Sequence, residues 1–329
     1  MLRLELSSSR MGSFMTCPQK HHYQHALGRV PIKTSEALSF GRLWHRIMEV
    51  WWAGGSDSDR LTKSLMVIGS EEIDPYDQAK ITVMIAGYTA RWGREPIETV
   101  AVELPFSVPL VDPETGDKSD TWILCGTIDK IVRKNGKFYI VEHKTSSDDT
   151  SAGSDYWRRL AIDTQVSNYY IGAKAVGYDI EGCLYDVVAK PALRPLKATP
   201  EDKRKYKAGT KTLYANQREN DETPGEYENR VSESVLESPD SYYVRGEVSR
   251  LAEALERARR DVWEIAYTMD VQAEAGMAPR NTKACSQFGR MCEYFDVCSG
   301  AAELTDPTRF KNTDYRPSGK VLLDPELGF

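Results

Sequence analysis

Two spacings of apolar residues occur along the chain, and together they predict a mixture of helices and strands. Apolar residues recur at helical spacing over residues 39–52 and again over about residues 77–92, which predicts two helices in the first third of the chain. Val102, Leu104 and Phe106 then alternate with other residues, as in a short strand. Helix-forming sequence therefore gives way to strand-forming sequence after the first third.

The strongest local pattern is a β-hairpin over residues 122–144. Two runs rich in β-branched and aromatic residues flank Asn135-Gly136, a dipeptide that favours a two-residue hairpin turn. A helix over residues 161–176 and a strand over residues 182–189 are predicted next. Strands, a helix and a further strand in this order predict an α/β fold, with a mixed sheet core flanked by helices.

The rest of the chain is more polar. Residues 190–229 combine lysine and arginine with interleaved tyrosine, whereas residues 246–269 predict a long amphipathic helix that leads to a group of cysteines. The chain is therefore divided into five parts: an N-terminal helical part at 1–98, the mixed-sheet core at 99–190, a basic insertion or mobile arm at 191–245, a C-terminal helix with the cysteine cluster at 246–300, and a tail at 301–329.

Composition narrows the class of protein. The 329 residues are 40% hydrophobic and 28% charged, which is ordinary for a globular protein with ample core. No long apolar run and no signal-peptide core are present, so we expect a cytoplasmic protein without a membrane partner. The net charge of −6 disfavours indiscriminate coating of nucleic acid, but a local basic path and metal-binding carboxylates are compatible with it.

Charged residues of the predicted hairpin fit a site for phosphodiester cleavage. Asp129 ends the first strand, and Glu142 and Lys144 lie two apart on the second, so both of these side chains point to one face. His143 points to the other face, although its backbone carbonyl remains available as a ligand. Carboxylates that hold Mg²⁺ or Mn²⁺ beside a lysine can activate water and offset phosphate charge. The alternative is that both carboxylates face solvent and Lys144 is a surface ion-pair partner.

The order of several motifs is more specific than a lone Glu-X-Lys triplet, which is common by chance. The motifs, in chain order, are Gly41-Arg42-Leu43-Trp44-His45, Gly126-Thr127-Ile128-Asp129, Glu142-His143-Lys144-Thr145 and Gln165-Val166-Ser167-Asn168-Tyr169. This order resembles the PD-(D/E)XK nuclease superfamily and, within it, the RecB-like branch. The resemblance implies a restriction-endonuclease-like core and a DNA substrate.

The resemblance also implies a ligand set for the metal ion. Asp129, Glu142 and His45 would hold Mg²⁺ or Mn²⁺, together with the backbone carbonyl of His143. The alternative for His45 is a histidine at the edge of an apolar helix, and Gly41 four residues earlier favours the ligand role.

The remaining motif residues take other roles by the same resemblance. Lys144 would orient or activate the water, while Gln165 and Tyr169, one helical turn apart, would shape the site and contact the DNA strand. Glu103 matches an acidic position before the Asp129 strand and would play a supporting part. Glu49, one turn after the histidine of the upstream motif, would be a partner of that ligand or a surface ion-pair residue.

Four cysteines form a second candidate site. Cys17 lies near the N-terminus, whereas Cys285, Cys292 and Cys298 lie close together near the C-terminus. Four thiolates suit a [4Fe-4S] cluster or a structural Zn²⁺, but no close Cys-X-X-Cys knuckle is present. The arrangement resembles the iron–sulfur clasp of the AddB nuclease domain and of CRISPR-adaptation RecB-type exonucleases, although the spacing after Cys285 is wider. The resemblance implies N- and C-terminal segments joined by a cluster; the alternative is ordinary buried thiols.

Basic residues suggest two paths for DNA. Arg158 and Arg159 precede the helix with Gln165 and could meet phosphates. The basic segment at 190–218 is either a surface that tracks a single strand or a solvated insertion.

The leading hypothesis is a metal-dependent exonuclease acting on single-stranded DNA ends, in recombination, repair, or CRISPR or phage DNA processing. The resemblance implies recombination or CRISPR-adaptation proteins as partners. No phosphate loop is present, so we expect the chain to have no helicase motor of its own. The alternatives are a structure-specific or double-strand endonuclease and a non-enzymatic DNA-binding scaffold subunit.

Overall fold

The computed structural model describes residues 3–33, 36–287 and 289–313. Within these ranges the strands are β1 (Leu4–Leu6), β2 (Arg29–Pro31), β3 (Glu98–Val111), β4 (Lys118–Lys134), β5 (Lys137–Ser146), β6 (Ile180–Ala189), β7 (Tyr243–Val248), β8 (Ser286–Gln287), β9 (Arg290–Met291) and β10 (Phe310–Asn312). The α-helices are α1 (Ser8–Thr16), α2 (Pro18–His21), α3 (Glu36–Trp52), α4 (Asp57–Gly69), α5 (Pro75–Trp92), α6 (Asp155–Arg158), α7 (Thr164–Ala175), α8 (Pro224–Glu237), α9 (Pro239–Tyr242), α10 (Ala252–Glu274) and α11 (Phe295–Ser299). A π-helical turn over His22–Ala26 and short 3₁₀-helices over Arg159–Ile162, Glu201–Lys203 and Thr282–Ala284 complete the helical elements of the described residues.

A six-stranded mixed sheet forms the centre of the fold. Strand β4 pairs antiparallel with β3 along one edge, while its other edge pairs antiparallel with β5 and parallel with β1. Strand β5 then pairs parallel with β6, which pairs antiparallel with β7. The β4–β5 hairpin turns at Asn135 and Gly136, whose φ angles of 51° and 78° match the left-handed turn that this dipeptide favours. The predicted hairpin is thus confirmed.

Helices cover both faces of the sheet. On one face α1, α7 and α10 pack over a cluster that includes Ile131 and Ile140. On the other face α3, α4, α5 and α8 pack over Val132, Val141 and Leu184. Because the central strands β4, β5 and β6 contribute apolar side chains to both clusters, the centre of the sheet is buried on both sides. The predicted α/β fold with a mixed sheet flanked by helices is confirmed.

Several element boundaries differ from the sequence expectation. Helix α4 was not anticipated; it begins at a capping box in which Ser56 and Asp59 bond each other's backbone N–H groups. The long C-terminal helix begins at Ala252 and not at residue 246, because residues 243–248 pair with β6 as a strand. Pairing with a distant strand is invisible to local periodicity, which explains this error.

The basic segment after β6 is attached to the fold at its ends. Glu222 is buried and accepts hydrogen bonds from the guanidinium of Arg230 and the backbone N–H of Leu196. Helix α8 follows directly and buries Tyr227 and Val231 in the core. The C-terminal part of the predicted arm therefore belongs to the helical layer, and the division of the chain into five parts remains a prediction.

The tail is anchored as far as the structure describes it. Strand β10 pairs antiparallel with β2, and the buried ring of Phe310 stacks on Tyr294 with ring centroids 5.4 Å apart. Residues 314–329 lie outside the described residues. In the described ranges, every helix is too short or too polar to cross a bilayer.

Candidate active site

The hairpin and two helices bring the predicted site residues together. Strand β4 supplies Asp129, and strand β5 supplies Glu142 and Lys144 on one face, as the two-residue spacing predicted. Helix α3 contributes His45 next to Asp129, whereas helix α7 contributes Gln165 next to Lys144. Residues more than a hundred positions apart in the chain thus meet at one end of the hairpin.

Glu142 is the most deeply buried carboxylate of the site. Its side chain has 0% exposure, one oxygen accepts a hydrogen bond from Nζ of Lys144, and the other oxygen, Oε2, has no hydrogen-bond partner in the described part of the chain. Burial, followed by the charge of Asp129, raises the pKa of Glu142 to about 7 despite the opposing effect of Lys144. The carboxylate therefore lacks enough positive charge around it to be fully ionised at neutral pH.

A chain of hydrogen bonds runs from Glu142 through Lys144 to helix α7. Nζ of Lys144 donates to Oε1 of Gln165 at 3.3 Å, and Nε2 of Gln165 donates to the hydroxyl of Tyr169 at 2.7 Å. Burial works to lower the pKa of Lys144, but Glu142 and then Asp129 outweigh it, so the pKa lies above its usual value. Lys144 is therefore a fixed ammonium group, and the predicted grouping of these side chains is present.

Asp129 is held from two sides. Nδ1 of His45 lies 3.3 Å from Oδ2 of Asp129, and the backbone N–H of His143 donates to the same oxygen at 3.1 Å. Burial works to raise the pKa of Asp129, but His45 and Lys130 outweigh it and hold the pKa well below its usual value. Conversely, burial works to lower the pKa of His45, and Asp129 raises it overall. Of the two carboxylates Asp129 and Glu142, Asp129 is therefore the one that is ionised at neutral pH.

Glu103 lies opposite Asp129 in an unusual backbone conformation. Its φ of 49° is in the left-handed region, which is rare for a residue other than glycine. Burial, and then the charges of Asp129 and Glu49, raise the pKa of Glu103. Glu103 therefore interacts electrostatically with both Asp129 and Glu49, and the supporting role of the two glutamates stays a prediction.

The side chain of His143 points away from the site, as predicted, and enters a buried polar cluster that the sequence reasoning missed. Its Nδ1 lies 3.3 Å from Oδ2 of Asp186, which also accepts from the guanidinium of Arg245 at 2.9 Å and from the hydroxyl of Tyr88 at 2.5 Å. Burial and the nearby Lys130 lower the pKa of His143 to about 4. The available signal was a carboxylate, Asp186, inside an otherwise apolar strand.

Lys130 joins this cluster from the other strand of the hairpin. It is fully buried, and its Nζ has no hydrogen-bond partner among the described residues. Burial lowers its pKa, while Asp129, Glu103 and Glu142 act in the opposite direction. Lys130 thus places positive charge behind the acidic side chains of the site.

The two predicted DNA-contacting arginines differ in position. Arg158 is exposed and pairs with Asp155 within α6 at 3.0 Å. Arg159 lies over the ring of Tyr156 at 4.3 Å, and Tyr156 is close enough to Lys144 to affect its pKa. Arg159 therefore borders the site, whereas no described contact connects Arg158 to it.

The glycines of the motifs have different surroundings. A Cβ on Gly126 would lie 2.7 Å from the ring of Phe106, so only glycine fits that position without displacing the ring. A Cβ on Gly41 would meet nothing within 4 Å. The surface of α3 one turn before His45 is therefore open.

The carboxylates fit a hard cation such as Mg²⁺ or Mn²⁺. A buried carboxylate oxygen without a partner, as at Oε2 of Glu142, is costly, and an oxygen-binding cation beside Asp129 would satisfy it. In the described ranges no group of three or more His, Cys, Asp or Glu side chains is arranged to hold a metal ion. Mg²⁺ is commonly held by one or two carboxylates, with water and phosphate completing its shell.

The cysteines predicted to hold a cluster lie near one another without forming such a group. Burial raises the pKa of Cys298, and nearby Cys17 and Cys285 raise it further; Cys285 has the same effect on Cys292. The backbone N–H of Asn281 donates to Sγ of Cys17 at 3.4 Å. The two chain ends do meet at these cysteines, all of which are free thiols.

A mixed sheet with helices on both faces, and with buried carboxylates and a lysine on its central hairpin, defines a nuclease of the restriction-endonuclease-like class. The chain belongs to the PD-(D/E)XK nuclease superfamily, whose family model matches residues 5–299. The resemblance found in the motif order is thereby confirmed at the level of the superfamily. No curated protein matches the chain.

Solved structures show only distant similarity. A crystal structure from Eubacterium rectale, described provisionally as an exonuclease, is 12% identical with a TM-score of 0.46, and the alignment covers 92% of this chain and 90% of that one. The crystal structure of SSO0001 is also 12% identical, with a TM-score of 0.27 and coverage of 74% and 80%. Neither similarity carries an argument about activity.

Proposed function

We propose that the protein is a Mg²⁺- or Mn²⁺-dependent deoxyribonuclease that removes nucleotides from single-stranded DNA ends. The observation that carries the proposal is the convergence of Asp129, Glu142, Lys144 and Gln165 at one end of the hairpin, with a buried oxygen of Glu142 left without a partner. A scaffold subunit would have no need for such a costly arrangement.

The metal would be held by the carboxylates of Asp129 and Glu142, with His45 and the backbone carbonyl of His143 beside them. A cation bound there offsets the charge of the phosphate and makes a bound water more acidic. The ionised Asp129 is ready to bind, whereas Glu142 has to give up its proton first at pH values below about 7. His45 keeps Asp129 oriented through the 3.3 Å contact to Oδ2.

Lys144 is the group that we expect to act on the reacting phosphate. It keeps its proton, is held by Glu142 and Gln165, and is 28% exposed, so one side of the ammonium faces the site opening. It can donate a hydrogen bond to the attacking water or to a phosphate oxygen as negative charge grows. Tyr169 fixes Gln165 and thereby the direction of Lys144.

The preference for single-stranded ends is supported by the RecB-like motif order. Gln165 and Tyr169 of the α7 motif lie beside Lys144. Arg159, whose guanidinium lies over the ring of Tyr156, borders the same site. We also propose that the protein is cytoplasmic and works with recombination or CRISPR-adaptation proteins, the latter because of the resemblance in motif order.

The test is the variant Lys144→Ala, assayed with single-stranded DNA labelled at one end. Removal of a fixed ammonium that acts in the transition state should lower the rate by about 10²–10³, while DNA binding is retained. The matched control is Lys137→Ala, in the same strand but on the surface and paired with Glu181 at 2.5 Å. Full activity of Lys144→Ala would show that the site assignment is wrong. Cleavage of circular single-stranded DNA by the parent would show that the protein is an endonuclease.

We further propose that Cys17, Cys285, Cys292 and Cys298 hold a structural [4Fe-4S] cluster, with Zn²⁺ as the alternative. The proposal is supported by the mutual proximity of these free thiols and by the N–H group directed at Cys17. Protein purified without oxygen should be brown and contain iron. A colourless protein with one zinc per chain would select the alternative, and a protein with neither metal would reject both.

A further inference from the structure

A groove with a volume of about 840 Å³ lies between the two ends of the chain. One wall comes from the N-terminal segment and includes Lys33 and Arg42, and the other comes from the C-terminal segment and includes Arg290 and Lys311. The pairing of β10 with β2 joins the two walls, because Lys311 lies opposite Val30 in this ladder.

The groove is strongly basic in a chain whose net charge is −6. Its lining contains Lys20, Lys33, Arg42, Arg290 and Lys311 against a single acidic residue, Glu293. Glu293 is already neutralised by Lys20, with 2.9 Å between Nζ and Oε1.

The four other cations are exposed, and no ion pair with another described residue is present for any of them. Four cations on facing walls, none of them ion-paired within the described part of the chain, make an anion-binding surface beside Cys17 and Cys292.

The basic surface continues beyond the groove. Lys190 is half-buried over the ring of Phe40 at 5.2 Å. Burial and then the charge of Lys80 lower the pKa of Lys190, Asp77 opposes them, and Arg290 of the groove lowers it further, so Lys190 is within electrostatic range of the groove.

The groove leads to the nuclease site along helix α3. Arg42 lies three residues before His45, so the two are neighbours on one helix face, about 4.5 Å apart along the axis. Gly41 lies on the same side and leaves open space at its Cα. A chain of phosphates in the groove could therefore pass over Gly41 and arrive at His45 and Asp129.

We propose that this groove binds the phosphate backbone of the DNA single strand whose end is cut at the hairpin site. The inference rests on the proposed nuclease function and adds the path of its substrate. Spaced cations that track a backbone, with exposed apolar surface such as Met291 for the bases, are typical of single-strand binding. An acidic peptide is the competing occupant, and continuity with the nuclease site favours DNA.

The test is the triple variant Lys33→Gln, Arg290→Gln and Lys311→Gln. Binding of a fluorescent single strand is measured by anisotropy in EDTA, so that cleavage plays no part. Each lost phosphate contact removes about 0.7 from the slope of log K against log salt, so the slope should fall by about 2 and affinity by about 100-fold at 0.1 M salt.

A matched control removes the same charge elsewhere. The variant Lys63→Gln, Lys137→Gln and Arg257→Gln changes three exposed cations outside the groove and should leave both affinity and slope unchanged. Circular dichroism and thermal unfolding establish that both variants are folded.

The outcomes separate this inference from the proposed function. Equal binding by the groove variant and the parent would overturn the groove path, even if Lys144→Ala abolishes cleavage. A second variant changes Lys203, Lys205 and Lys211 to glutamine. If this variant loses affinity and the groove variant does not, the strand binds the basic segment after β6 and not the groove. Polyglutamate that displaces the fluorescent strand as well as unlabelled DNA of equal charge does would mean that the groove binds an acidic peptide and not DNA. A parent protein that binds no single strand at all would reject the proposed function itself.

Discussion

The buried carboxyl of Glu142 should make the metal-free protein lose stability as the pH rises. Its pKa is raised from 4.5 to about 7, first by burial and then by Asp129. A raised pKa means that the folded state binds this proton more tightly than the unfolded state does. The protonated carboxyl therefore stabilises the fold fully below pH 4.5, and this stabilisation is lost as the pH rises through 7. The variant Glu142→Gln keeps the shape of the side chain and removes the titration.

The magnitude follows from the shift of the pKa. The rise from 4.5 to about 7 sets an upper limit of about 3 kcal/mol on the contribution of the buried carboxyl to stability. Most of this contribution is still present at pH 5 and nearly all of it is lost at pH 8, as linkage between folding and proton binding requires. The stability of Glu142→Gln relative to the parent should therefore rise by about 2–3 kcal/mol between pH 5 and pH 8.

The assay is urea unfolding of both proteins in EDTA at the two pH values. Comparison of the two proteins is needed because other groups titrate in this range: burial lowers the pKa of His143 and His25 to about 4, which makes stability rise with pH up to about 6.5. The contributions of His143 and His25 occur in both proteins and cancel in the difference. That of His45 cancels only in part, because Glu142 is among the charges that raise its pKa. Addition of Mg²⁺ at pH 8 should then stabilise the parent more than Glu142→Gln, since the cation binds the ionised carboxylate.

A pH-independent difference between Glu142→Gln and the parent would refute the reasoning, because it would mean that the buried carboxyl titrates as it does in the unfolded chain. The control is Glu98→Gln, which removes an exposed carboxylate paired with Arg133. An exposed ion pair contributes at most about 1 kcal/mol, so this control should show a small effect.

Other perturbations test the packing around the site. Gly126→Ala would place a Cβ 2.7 Å from the ring of Phe106 and should lower the free energy of unfolding by about 1–3 kcal/mol; Phe106→Leu in the same chain should recover part of the loss in urea unfolding. Asp186→Asn removes one of two carboxylates that pair with the buried guanidinium of Arg245, the other being Glu95, and should cost about 1.5–3 kcal/mol by the same measurement. Phe310→Ala should cost about 3–5 kcal/mol and expose the chain end to limited proteolysis, whereas unchanged digestion would contradict the observed anchoring.

The grouping of the candidate site residues was predictable because it follows from short-range geometry. Glu142 and Lys144 share a face through the period of a strand, and a two-residue turn at Asn135 fixes which residues of β4 and β5 pair. Gln165 and Tyr169 lie one helical turn apart and bond each other. The meeting of these two pairs was expected only from the resemblance in motif order.

The buried cluster behind the site could not be predicted in the same way. Asp186 and Arg245 lie in strands β6 and β7 with a long basic segment between them, and only the antiparallel register of these strands makes them neighbours. The misassigned start of the last long helix has the same cause. Residues 243–248 are a strand because β6 offers an edge to pair with, and no local pattern records this.

The backbone of Glu103 explains both an error of the sequence reasoning and the shape of the site. Alternation placed Val102 and Leu104 on one face, yet Val102 packs against the α3 side of the sheet and Leu104 against the α7 side. The change of face occurs at Glu103, where φ is 49°.

In the paired strand β4, the side chains also change from one face of the sheet to the other at this position. Ile128 packs on the α7 side, whereas Lys130 lies with His143 and Asp186 on the α3 side. Asp129 stands at this crossover, so it can reach His45 of α3 while its hairpin neighbours Glu142 and Lys144 reach α7. A sheet with unbroken alternation would direct Asp129 to one helical layer only. The left-handed conformation of Glu103 is therefore part of what lets residues from both layers meet at the candidate site.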